Sequence, residues 1–182
     1  LHDNELCVQD IQASREGRGP DFALLEDLAS EAFMPLSYGG GVTTVEQAAR
    51  LFHIGFEKVI LNTALIDRPE LVRELADRFG SQSVVASIDV KLDRLRRYRC
   101  VVAGGTRSTG ETPLALAQRA QALGAGEVLL NSVDRDGMMQ GYDLKLVRSV
   151  ADGLTVPLIA CGGARDTPTR RRREACLCTS GR

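Results

Sequence analysis

The sequence contains no tryptophan and only two histidines, His2 and His53, in 182 residues. Two histidines so far apart exclude a His-rich metal centre and leave a Ser-His-Asp triad little to be built from. The five cysteines, at 7, 100, 161, 176 and 178, form no Cys-x-x-Cys pair, and their number is odd. That argues against a disulfide framework or a zinc site, and a reducing cytosol is the expected location. An excess of charge is also missing: 23 Lys+Arg against 24 Asp+Glu leave a formal net charge of -1. A basic nucleic-acid binder and an acidic disordered chain are both disfavoured. Apolar runs do not exceed strand length, so no transmembrane helix is expected, and the chain does not open on a signal segment. Neither a Walker loop nor a GxGxxG fingerprint occurs, and no cofactor is expected.

What is present is ordinary for one globular domain: 43% hydrophobic and 26% charged residues. Six short apolar runs recur, at 5–9, 35–38, 58–61, 83–88, 127–130 and 156–160. They are nearly continuous in apolar character, as parallel strands buried on both faces are. Amphipathic segments lie between them. Residues 21–32 place Phe22, Leu24, Leu25, Leu28 and Ala29 on one expected face. Thr44 caps 44–54, Asp67 with Pro69 opens 67–79, Pro113 opens 113–123, and 143–151 carries Leu144, Leu146, Val147 and Val150. Strand and helix alternating at this spacing predict an α/β fold with a parallel sheet.

An internal repeat sharpens the prediction. Shifted by 122 residues, positions 5–41 fall on 127–163, and nine pairs are identical: Glu5/Glu127, Gly19/Gly141, Asp21/Asp143, Leu24/Leu146, Ala29/Ala151, Pro35/Pro157, Leu36/Leu158, Gly40/Gly162 and Gly41/Gly163. Chance would give about two or three at ordinary usage. A second echo relates Gly55…Asn62-Thr63 to Gly124…Asn131-Ser132. Duplicated strand–loop–helix–strand units point to a barrel of two halves. The repeat requires another helix and strand after 163. Instead the apolar periodicity stops, and Arg170 to Arg173 introduce a basic stretch. Residues 1–164 are therefore read as a partial (β/α)8 barrel and 165–182 as a tail foreign to the fold, the alternative being a genuine basic tail for acidic partners.

Several motifs could carry chemistry. Gly39-Gly40-Gly41 lies between a strand and a helix, where backbone N–H groups can face a phosphate; a plain turn is the alternative. Gly162-Gly163 occupies the equivalent repeat position, so two phosphate pockets could serve one substrate with a phosphate at each end. Asn62-Thr63 and Asn131-Ser132 follow strands and can donate hydrogen bonds to a ligand, or act as turn residues. Asp89 ends the run Val84 to Ile88, the strand end where barrel enzymes place acids and bases. Lys91 can share its face. The basic stretch Leu92 to Val102 reads as a long loop. Residues 132–137 with Asp143 imitate a calcium loop, but the terminal ligand types and the preceding strand are wrong for one. Asp136 and Gly137 then face a ligand from a strand-to-helix loop.

In combination these residues resemble the cyclase subunit of imidazole glycerol phosphate synthase, the HisF family, over about Asn4 to Ala164. The motifs are Asp10-Ile11, Gly39-Gly40-Gly41-Val42, Lys58-Val59 leading to Asn62-Thr63, Phe79-Gly80-Ser81-Gln82, Ile88-Asp89-Val90-Lys91, Asp134-Arg135-Asp136-Gly137, Gly141-Tyr142-Asp143 and Cys161-Gly162-Gly163-Ala164. The resemblance implies a (β/α)8 TIM barrel of duplicated halves that closes an imidazole ring on a bis-phosphorylated substrate. Its products are imidazole glycerol phosphate and an aminoimidazole carboxamide ribotide. It implies a glutaminase partner on the N-terminal face, with ammonia passing through the barrel. Asp89 then resembles a catalytic aspartate. Gly41, Asn62 and Thr63 resemble one phosphate site, and Asp136, Gly137 and Gly163 part of the other. Glu5, Lys58 and Glu127 resemble members of the charged ring at the ammonia entrance.

Departures from the family qualify these implications. The family's other catalytic aspartate stands on its first strand, and this sequence aligns with strands 2 to 7 of eight. Asn131 stands where threonine is usual. A chain so composed is expected to be inactive or nearly so. Pro35-Leu36-Ser37-Tyr38 and Gly55-Phe56-Glu57-Lys58 lean toward paralogues linked to surface-sugar amidination. A sugar-phosphate isomerase on the same barrel and a non-catalytic partner-binding fragment are the remaining alternatives.

Overall fold

The computed structural model describes residues 5–164. The expected basic tail lies outside them. The chain opens with β1 (Leu6–Gln9), a one-turn α1 (Ala13–Glu16), α2 (Phe22–Glu31), β2 (Leu36–Gly39), α3 (Val45–Ile54) and β3 (Lys58–Leu61). It continues through α4 (Ala64–Asp67), α5 (Glu70–Phe79) and the nine-residue β4 (Val84–Leu92) to β5 (Tyr98–Val102) and β6 (Arg107–Ser108). Then follow α6 (Pro113–Ala122), β7 (Glu127–Ser132), α7 (Leu144–Ala151) and β8 (Leu158–Cys161).

All six expected strands form. They pair in parallel in the order β1-β2-β3-β4-β7-β8, with helices on the outer face, as in an incomplete (β/α)8 barrel. Both faces of the arc are covered, which is why the strands read as continuous apolar runs. Between sheet and helices, Val59, Leu61, Val84, Ala86, Ile88, Val128 and Leu130 meet Leu51, Leu71, Leu75, Leu116, Leu146 and Val150 in the main core. Leu51, Leu71 and Leu75 have no exposed surface, and burial of each contributes about 1.5–3 kcal/mol. The alternate strand residues form a second cluster on the inner face: Cys7, Ile60, Val85, Leu129, Ile159 and Cys161.

Local chemistry places the helix ends. Thr44 accepts from the Gln47 backbone and the Gln47 side chain returns to the Thr44 backbone, a complete capping box. Asp21 and Asp143, one pair of the repeat, cap α2 and α7 in the same way, accepting from Leu24 and Leu146. Three expectations are corrected. Asp67 caps nothing: it ends α4, because Arg68 precedes Pro69 and leaves the helical region. Leu24, at 61% exposure, lies off the buried face of α2, since two residues turn a helix by roughly 200°.

The third correction concerns 92–102. These residues make a β-hairpin, with β5 antiparallel to β4 and β6 antiparallel to β5. Asp93 organises the turn. Its carboxylate accepts from the Leu95 and Arg97 backbone and from the Arg97 and Arg99 side chains. These bonds, led by that from the Arg97 backbone, hold its pKa down at about 2.

Candidate functional site

The C-terminal ends of β1 to β4 open into a cavity of about 500 Å³. Gly41, Asn62, Thr63 and Asp89, separated in sequence, all line it. The glycine loop comes close to the chain after β1. A Cβ on Gly41, where φ is +63°, would overlap the Arg18 carbonyl, so only glycine leaves this loop undistorted. Gly163, its repeat mate, has φ of +92° and is crowded in the same manner by the Gly141 carbonyl. The Thr63 hydroxyl accepts from the Ala103 backbone at 3.3 Å, which leaves its own O–H to donate.

Asp89 lies at the floor. Along one edge of β4, β3 pairs as far as Leu61 with Ala86, and β5 takes over at Asp89 with Val101. Along the other edge β7 sets Asn131 in register with Asp89. Asn62 Nδ2 donates to the Ser87 carbonyl at 3.0 Å and to Asp89 Oδ2 at 3.4 Å. Asn131 Nδ2 donates to Asp89 Oδ1 at 3.1 Å. Burial pushes the Asp89 carboxyl above its ordinary range; the Asn131 bond opposes this, Asp136 adds to it, and Lys91 opposes it. A carboxyl whose proton affinity is raised is a candidate for acid–base work. Lys91 turns its ammonium to the Gly105 carbonyl at 3.2 Å. Cys100, behind Asp89 on β5, is pushed up to about 12 by burial and stays a protonated thiol.

Sequence reasoning assigned no role to Asp10, Arg18, Gln9 or Ser87, which also line the cavity. Asp10 Oδ1 accepts from the Gln12 and Ala13 backbone and Oδ2 from Arg18 at 3.3 Å. Its signal was readable: Asp10 ends β1 as Asp89 ends the apolar run of β4.

Asp136, Gly137 and Gly163 do not line this cavity. They belong to the loops after β7 and β8, joined where the Gly141 N–H donates to the Gly163 carbonyl at 2.6 Å. A separate polar cleft of about 250 Å³ lies beside them, with Tyr98, Ser132, Asp134, Arg135, Asp143 and Lys145 among its walls. There Tyr98 donates to both Asp143 oxygens, at 3.1 and 3.0 Å.

The opposite strand ends hold a different group. Lys58, first residue of β3, donates to Glu5 at 2.9 Å and to Glu127 at 2.9 and 3.1 Å. Burial disfavours its charge, but the two glutamates outweigh burial and raise its pKa. The three side chains line a cavity of about 560 Å³ with Phe52, Phe56 and Phe79. Among the described residues no cluster of three or more His, Cys, Asp or Glu could hold a metal. No described helix is long and apolar enough to cross a membrane.

Residues 2–169 match the model of a family described as "Histidine biosynthesis protein". The chain is 48% identical over 162 residues to the "Putative imidazole glycerol phosphate synthase subunit HisF" of Leptospira interrogans, covering 88% of this chain and 64% of that one. It is 45% identical over 161 residues to the "Putative imidazole glycerol phosphate synthase subunit hisF2" of Pseudomonas aeruginosa, with coverage of 88% and 64%. Against the "Imidazole glycerol phosphate synthase subunit HisF" of a Nocardioides species it is 46% identical over 168 residues, with coverage of 88% and 65%. The chain thus spans just under two thirds of the length of these relatives.

Proposed function

Because the chain belongs to the histidine biosynthesis protein family and is HisF-like in sequence, we propose that its barrel is the cyclase scaffold of an imidazole glycerol phosphate synthase. The observation that carries this reading is Asp89: a partly buried carboxylate with raised proton affinity, facing a cavity rimmed by a glycine loop and by Thr63. In the proposed reaction Asp89 moves protons as ammonia is incorporated and the imidazole ring closes. The products are imidazole glycerol phosphate and an aminoimidazole carboxamide ribotide. Gly41, Asn62 and Thr63 form the loops that receive one phosphate of a bis-phosphorylated substrate. The loops of Asp136, Gly137 and Gly163 receive the other, a reading supported by the repeat relation of Gly163 to Gly41. A glutaminase subunit docks on the N-terminal face, where Glu5, Lys58 and Glu127 surround the ammonia entrance. The setting proposed is the cytoplasm.

The test uses the 182-residue chain with ammonium and the ribulosyl aminoimidazole bis-phosphate. Amide NMR shifts at Gly40, Gly41 and Thr63 are expected to move on binding. Unmoved shifts at millimolar substrate sink the reading. A second reading, a role in amidination of a surface sugar, is favoured by Pro35-Leu36-Ser37-Tyr38 and Gly55-Phe56-Glu57-Lys58. It is chosen if a sugar substrate moves the same amides and the bis-phosphate does not.

A further inference from the structure

β4 changes neighbours along one edge. Its ladder with β3 ends at Ala86, that with β5 begins at Asp89, and Ser87 and Ile88 lie between. Asn62, the residue after β3, fills this gap: its amide takes the Ser87 carbonyl as a strand N–H would. A side-chain amide has two N–H groups. Asn62 directs one to Ser87 and the other to Asp89 Oδ2. On the other edge of β4, Asn131 serves Asp89 Oδ1. The carboxylate is therefore gripped from two strands, one donor to each oxygen.

Asn131 shows the cost of this arrangement. Its Oδ1 is buried and has no hydrogen-bond partner. It faces Gly162, where an added Cβ would lie 3.0 Å away. A buried acceptor without a donor is unfavourable and calls for a reason. Turning the amide over would set Oδ1 against a charged carboxylate and lose the Nδ2 bond. The present orientation is thus the one an ionised Asp89 selects.

We propose that Asn62 and Asn131 are positioning residues that clamp Asp89 between them, fixing the plane of its carboxylate and favouring its ionised form. The proposal deepens the reading of Asp89 as the proton-moving group and rests on it. The other titratable groups within electrostatic reach of Asp89 are Lys91 on its own strand, Asp136 on the loop after β7, and Cys100 on β5, which lies opposite Val90 on the helix-packed face. Asp136 and burial oppose ionisation; Lys91 and the clamp favour it.

The experiment is an NMR titration of the labelled 182-residue chain from pH 4 to 8, reading the Asp89 carboxyl carbon and the Nδ2 signals of Asn62 and Asn131. Both side-chain amides are expected to shift with the Asp89 midpoint. Asn131→Ala is expected to raise that midpoint by about one pH unit. Asn131→Thr, which restores a hydroxyl donor, is expected to recover more than half of the change. A merely structural asparagine would give no such recovery. If the wild-type amides stay flat while Asp89 titrates, or if the midpoint ignores both substitutions, the clamp is wrong. The wild-type co-titration decides the matter even where a variant does not fold. None of these readouts requires turnover. A clamp without substrate binding overturns the proposed function alone, and substrate binding without co-titration overturns the clamp alone.

Discussion

Lys58→Met removes one charge and keeps most of the side-chain stem, so it isolates the electrostatics of the N-terminal mouth. In the wild type two carboxylates share one ammonium, with side-chain exposures of 8% for Glu5, 14% for Lys58 and 12% for Glu127. At 2.9 Å and an effective dielectric constant of about 20, each contact has a gross Coulomb energy of about 6 kcal/mol. Most of that offsets the desolvation of three charged groups. The net cost of removing one partner from a buried pair is about 3–5 kcal/mol, because the other charges stay buried and unpaired. Lost packing adds less than about 1.5 kcal/mol for a swap of similar volume.

Urea unfolding followed by circular dichroism measures the loss. With a slope of about 2 kcal/mol/M, the midpoint should fall by roughly 1.5–2.5 M at pH 7. The raised Lys58 pKa keeps the wild-type ammonium charged throughout pH 5–8, its contribution being lost only as pH rises through that value. Changing both glutamates to glutamine in the same chain should restore most of the stability. No recovery in the triple variant would show that the cost is packing and refute the electrostatic account.

Asp89→Asn should stabilise the fold at pH 7. A carboxyl raised by burial favours the folded state below its ordinary range and loses that contribution as pH rises through the folded value. Its gain in melting temperature should therefore be larger at pH 7 than at pH 4; a gain equal at both would contradict it. Gly41→Ala meets the Arg18 carbonyl and a left-handed φ, and should weaken sugar-phosphate binding at least tenfold by titration calorimetry. Thr44→Ala removes the cap of α3 and should cost about 1 kcal/mol in urea unfolding. The Asp93 turn should keep its hydrogen bonds above about pH 4 and lose them as pH falls toward about 2, read from the Leu95 and Arg97 amide shifts.

Periodicity and punctuation made most of the barrel readable. Strands buried on both faces cannot hide in a sequence, and Thr44, Pro113 and Asp143 mark helix starts that hydrogen bonding then enforces. The hairpin escaped because its first strand continues β4 without a break and three of the five turn residues 93–97 are arginine. Its stability comes from Asp93 collecting four donors, a tertiary convergence with no periodic signature. As cavity-lining positions, Gly41 and Thr63 were legible because they follow strands, and Asp89 because it ends an apolar run, although β4 continues past it to Leu92. The coupling of Asn62 and Asn131 to Asp89 was not, since it depends on where one ladder stops and the next begins. Asp10 was within reach of the same strand-end logic and went unassigned.

The strand that carries Asp89 has a further property. β4 alone among the described strands is held by three others, β3, β5 and β7. Its amides around Ile88 to Val90 should be among the last to exchange with deuterated water, opening only with the whole domain. The glycine loops and the hairpin tip can open locally without disturbing that ladder. A ligand can thus come and go through parts of the molecule that fluctuate on fast timescales, while the carboxylate it meets keeps the lifetime of the native state itself.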